Sequence, residues 1–173
     1  MKPGVFTVKY LLLFAAQVLL WNFCNFTPLL VIALLPVMIL GLPLKCSTVS
    51  SMLIAFASGF AVDFLTGAPL GLTCLALVPV AFVRRWVLAA VFGNEIFTRG
   101  EEISSERLGW SKMLLAAVML NALFLLIYII ADSAGTVPLW AMIVKFIASL
   151  ALSSALALPV ANLLCPDSEA RWR

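Results

Sequence analysis

Histidine is absent from this 173-residue sequence, and charged residues make up only 11% of it. The first absence removes the commonest general base and the commonest metal ligand. The second excludes a soluble domain: soluble chains are about half apolar and about a quarter charged, whereas this one is 64% hydrophobic with a mean hydropathy of +1.15. Catalytic signatures are missing too. No serine stands in G-x-S-x-G, there is no H-E-x-x-H, and no glycine-rich loop ends in Gly-Lys-Ser or Gly-Lys-Thr. Intramembrane aspartyl proteolysis needs two aspartates, one of them after Gly-x-Gly, but Asp63 follows Gly59-Phe60-Ala61-Val62. Since catalysis requires a positioned base or metal, neither an enzyme nor a cofactor or metal site is expected, and no nucleic-acid partner. Cys24, Cys46, Cys74 and Cys165 show no C-x-x-C pairing and read as small apolar residues.

What is present is apolar runs of helical length along the whole chain, so the sequence reads as a single all-α integral membrane domain over residues 1–173. Six transmembrane helices are expected at about 10–26, 29–44, 46–65, 72–92, 110–130 and 138–164. Pro36 falls inside the short second run, where a kink is expected. Gln17 and Asn22 interrupt the first and are expected to face other helices. Residues 93–109 form the long polar loop and 166–173 a polar tail. Lys2, Lys9, Lys45, Arg84, Arg85, Arg99, Arg107, Lys112, Arg171 and Arg173 all fall in the N-terminal arm, the second loop, the fourth loop or the tail. By the positive-inside rule these segments, and both termini, are cytoplasmic.

The chain is organised around Gly59-Phe60-Ala61-Val62-Asp63-Phe64-Leu65-Thr66-Gly67-Ala68-Pro69-Leu70-Gly71. A carboxylate at membrane depth costs about 2.5–3.5 kcal/mol on insertion scales, so Asp63 must face protein, water or an opposite charge. Ser51, Ala55, Gly59, Asp63 and Gly67 share one helix face, and all but Asp63 are small, as close helix packing requires. On the sixth helix Lys145, Ser149, Ser153, Ala157 and Ala161 form a second such stripe. Asp63 and Lys145 both lie about 10 Å below the outer surface at 1.5 Å per residue. An intramembrane pair Asp63–Lys145 is therefore expected, with Asp132 as the lesser alternative partner and snorkelling of Lys145 as the bland one. Gln17, Asn22, Asp63, Thr66 and Lys145 are the polar groups available to line a pocket.

The block Gly59-x-x-x-Asp63-x-x-x-Gly67-x-x-Leu70-Gly71, leading into Ala76 and Ala81-Phe82-Val83-Arg84, resembles the central signature of the bacterial rod shape-determining MreD family. The segment Pro28 to Pro43 with its Leu-Pro-Leu-Lys boundary is similar to that family's second helix, although the loop from Gly93 to Ser111 departs from the pattern. The resemblance implies a non-catalytic subunit of the cell-elongation complex in the cytoplasmic (inner) membrane. It would control cell shape and peptidoglycan synthesis by binding the bitopic protein MreC, and indirectly MreB, RodA and a class B penicillin-binding protein. It also implies a fold resembling the S component of energy-coupling factor transporters. Gly59, Asp63, Gly67, Leu70 and Gly71 carry over as the signature. The alternative is a vitamin-binding S component; the Ala-x-x-x-Ala such proteins carry in the first helix is missing, since Ala15 and Ala16 are followed four on by Leu19 and Leu20.

Overall fold

A computed structural model describes residues 3–23, 31–43, 46–93, 110–133 and 138–164. The expected cytoplasmic loop, apart from Gly93, the polar tail and Cys24, Lys45 and Cys165 lie outside the described residues. Those residues are all helical in architecture, with six helices: α1 (Pro3–Phe23), α2 (Leu35–Leu40), α3 (Thr48–Thr66), α4 (Leu72–Phe92), α5 (Trp110–Ser133) and α6 (Leu139–Leu164). Helix α1 starts at Pro3, well before the expected residue 10, because proline at a first helical position sacrifices no hydrogen bond.

The second run departs most from expectation. It is not one helix over 29–44: only Leu35–Leu40 is helical, and residues 31–34 form a non-helical strap leading into it. Pro36 explains the break. In a continuous helix its ring would press on the carbonyl of Ile32, and it has no N–H to offer that carbonyl. The helix therefore begins at Leu35, with the proline in its first turn rather than at a mid-span kink.

Helices α3, α4, α5 and α6 pack in sequence order, each along the next, and α1 closes the circuit between α6 and α3 with much thinner packing. Helix α2 touches all five long helices. Its six residues are all buried, so it fills the axis of the bundle. Around it stand Leu77, Leu88, Leu120, Phe124 and Leu125, also without exposure. The outside is as apolar as the inside: Phe56, Phe60 and Phe64 on α3, Phe82 and Trp86 on α4, and Trp140, Ile143 and Ile147 on α6 all point away from the bundle. Apolar surface on both sides is stable in hydrocarbon and not in water. Four helices (Thr48–Thr66, Leu72–Phe92, Ser111–Ser133 and Leu139–Ala157) are long and apolar enough to cross a membrane, and α1 contributes a shorter apolar stretch, Thr7–Asn22.

Candidate functional site: a self-capped hairpin and a clamped strap

The Gly59–Gly71 block folds as the turn of a helical hairpin between α3 and α4. Gly67 ends α3 at φ 66° and Gly71 precedes α4 at φ 92°, both in the left-handed region where a side chain is strained. Gly59 marks the crossing of the two helices. A Cβ built there would lie 3.0 Å from the backbone nitrogen of Cys74 and 3.1 Å from its Cα, so no side chain fits without moving α4. Ser51 and Ala55, two and one turns earlier, are buried on the same face of α3.

Asp63 is fully buried and turned towards the start of α4. Its carboxylate accepts the backbone N–H of Gly71 at 2.9 Å and that of Thr73 at 3.1 and 3.3 Å to its two oxygens. The amide of Leu72 donates to the Pro69 carbonyl and that of Leu75 to Gly71. The N-terminal amides of a helix have no intrahelical acceptor, and the positive end of its dipole favours an anion. Asp63 supplies both the acceptors and the charge from the neighbouring helix. The expected pair with Lys145 does not form: Lys145 Nζ lies 2.8 Å from Asp132 Oδ2, joining α6 to the end of α5 at a partly exposed position. Thr66 Oγ1 donates to the Val62 carbonyl of its own helix, and Asn22 is exposed instead of facing another helix.

The second stripe lies against the strap. Ser149, Ser153 and Ala157 are buried, but the two serines face the strap rather than α3. Ser149 Oγ accepts the N–H of Val31 at 2.9 Å and Ser153 Oγ that of Ala33 at 3.2 Å. Four helical residues rise about 6 Å and two extended residues about 6.6 Å, so serines four apart match amides two apart. Gln17 of α1 holds the same strap: its Nε2 donates to the Ile32 carbonyl at 3.0 Å and its Oε1 accepts from Leu34 N–H at 2.7 Å. The Ile32 carbonyl is the one that Pro36 leaves without a helical donor, and the glutamine amide stands in for the missing N–H.

At the far end of α2 the guanidinium of Arg84, buried in α4, completes the pattern. Its Nε and Nη2 donate to the Leu40 carbonyl at 3.4 and 3.2 Å, and Nη2 also donates to the Leu42 carbonyl. The cation therefore sits where the α2 dipole is negative. Helix α4 covers Leu72–Phe92, the range expected for the fourth helix, so Arg84, counted with the fourth loop by its charge, lies within the helix. Asn121, at the middle of α5, is fully buried, and among the described residues neither of its amide atoms has a partner. Among the described residues no group of three or more His, Cys, Asp or Glu side chains is placed to hold a metal.

Of the five signature residues, Gly59, Asp63, Gly67 and Gly71 have internal tasks, while Leu70 is 65% exposed at the tip of the hairpin. Arg84 and the strap were missed as features of the interior; the signal for the strap was Pro36 with too short a run behind it. The chain matches no protein-family model, no curated protein and no solved structure.

Proposed function

We propose that this chain is a non-catalytic membrane subunit of the bacterial cell-elongation (rod) machinery, acting by binding an MreC-like bitopic partner in the cytoplasmic membrane. MreB, RodA and a class B penicillin-binding protein are then reached through that partner. The observation that carries the reading is the division of labour within the signature block. Gly59, Asp63, Gly67 and Gly71 build the hairpin, while the side chain of Leu70 is exposed at its tip, as are those of Phe60, Phe64 and Leu65 on α3. A rigid tip on a close-packed pair of helices is a surface for a partner, not a reaction centre.

The interior weighs against a vitamin carrier of the S-component type. Carriers built on broken helices leave helix termini open to substrate anions or coupling cations. Here the N-terminus of α4 is occupied by Asp63 and the C-terminus of α2 by Arg84, both tethered, while α2 fills the axis. On this reading the strap and α2 together make the second of six crossings, and both termini are cytoplasmic. The test is affinity purification of the tagged full chain from its native membrane in mild detergent, with mass spectrometry of what is retained. A bitopic partner with wall-synthesis proteins supports the reading. Recovery of ATP-binding-cassette subunits or a stoichiometric vitamin overturns it.

A further inference from the structure

We propose that α1 and the strap 31–34 form one locally opening unit of the bundle, latched by Gln17, which disengages while α3 to α6 stay assembled. This inference stands apart from the elongation-complex reading and concerns how the bundle opens. Three observations carry it. The first is unequal packing: α3, α4, α5 and α6 are extensively packed in series, whereas α1 touches α3, α6 and α2 only thinly. Segments with few packing contacts open at lower free energy than the core and do so as contiguous units. The second is that the strap's amides rely on side chains for their acceptors, although the Leu34 carbonyl accepts the Met38 N–H at 3.0 Å where the strap joins α2. Its amides at Val31, Ala33 and Leu34 are bonded to side chains from two different helices, Ser149 and Ser153 of α6 and Gln17 of α1.

The third observation links the two. Gln17 makes both bonds between α1 and the strap, to Ile32 and Leu34. Moving α1 outward withdraws a donor and an acceptor from the strap together. The Ile32 carbonyl then has no substitute within its own segment, because residue 36 is proline. Unlatching α1 therefore loosens the strap, and a loosened strap gives Gln17 nothing to hold. Helix α2 is anchored separately: Arg84 keeps its C-terminal carbonyls and its six residues remain in the core. The opening thus runs along the α1 side of the bundle and exposes the N-terminal end of α2 without dismantling the α3–α4 hairpin.

Hydrogen–deuterium exchange with mass spectrometry on the full chain in lipid nanodiscs tests this directly. In the parent protein, peptides from α1 and from the strap are expected to exchange with one common rate, faster than peptides from α3 and α4. In Gln17→Met, which keeps side-chain volume and removes both hydrogen bonds, the two peptides accelerate together by about tenfold or more, the loss of two bonds of ordinary net strength. The α3–α4 peptides stay unchanged. Unrelated rates for α1 and the strap in the parent protein overturn the proposal, and that comparison needs no variant to fold. So does equal acceleration of α3 and α4 in Gln17→Met, or no acceleration at all.

Discussion

The carboxylate of Asp63 caps the helix that follows its own, receiving the Thr73 amide at 3.1 and 3.3 Å and the Gly71 amide at 2.9 Å. Asp63→Ala removes three contacts to buried amides and is expected to cost about 1.5–3 kcal/mol, the range for hydrogen bonds to charged groups. Because Lys145 bonds Asp132 and not Asp63, exchanging the two charges as Asp63→Lys with Lys145→Asp recovers nothing. Thermal unfolding in detergent of the single and double variants measures both outcomes. Recovery in the exchanged protein would contradict the capping assignment.

Gly59 has the backbone of Cys74 at van der Waals limits. Gly59→Ala is expected to destabilise by about 1–3 kcal/mol through overpacking, and Gly59→Leu to prevent assembly of the hairpin. Gly67→Ala acts by another route: its Cβ meets nothing, but φ 66° costs an alanine about 1–2 kcal/mol. Cys74→Ala should relieve Gly59→Ala only slightly, since two of the three contacts are to backbone atoms. Unfolding midpoints of Gly59→Ala, Gly67→Ala and the double variant Gly59→Ala with Cys74→Ala rank these effects.

Arg84→Leu leaves the carbonyls of Leu40 and Leu42 buried without a donor and is expected to cost about 1–3 kcal/mol. Arg84→Lys keeps a charge but loses the planar fork that reaches both carbonyls, so it recovers only part of that loss. Full stability in Arg84→Leu would show that the end of α2 is held by packing alone.

Ser149→Ala and Ser153→Ala each remove one acceptor from the strap, at an expected cost of about 0.6 kcal/mol, the average for side-chain bonds between membrane helices, and no more than about 1.7 kcal/mol. Ala157, on the same buried face with no polar atom, gives the control: Ala157→Ser brings no compensation. A double-mutant comparison of the two serines against Gln17→Met shows whether they act on the strap together.

How much of this was legible in the sequence depended on the kind of bond. Gly67, Pro69 and Gly71 are themselves the punctuation of a turn, and the α3–α4 hairpin lies where they put it. The partners of the polar side chains did not show. Pairing by charge and depth offered Lys145 to Asp63, but Asp63 bonds backbone amides, which every residue type but proline carries and which therefore leave no mark in the sequence as a side chain's partner. Gln17, Ser149, Ser153 and Arg84 also bond to backbone. Pro36 was visible, yet a proline inside an apolar run has two meanings, a kink or a first turn. What distinguishes them is the donor supplied to the Ile32 carbonyl from a helix fifteen residues away in sequence.

Leu70 puts the central claim to the most direct measurement. It is the signature residue that faces outward and takes no part in the capping network. The tagged parent chain and its Leu70→Glu variant are purified in parallel from native membranes, and retained proteins are quantified by mass spectrometry. The account predicts that the parent retains a bitopic partner with wall-synthesis proteins. The variant accumulates to the parent level but loses that partner by about tenfold, which corresponds to about 1.4 kcal/mol of binding free energy. Equal retention by both chains would contradict the hairpin tip as the docking surface, and retention of transporter subunits by the parent would contradict the proposed function itself.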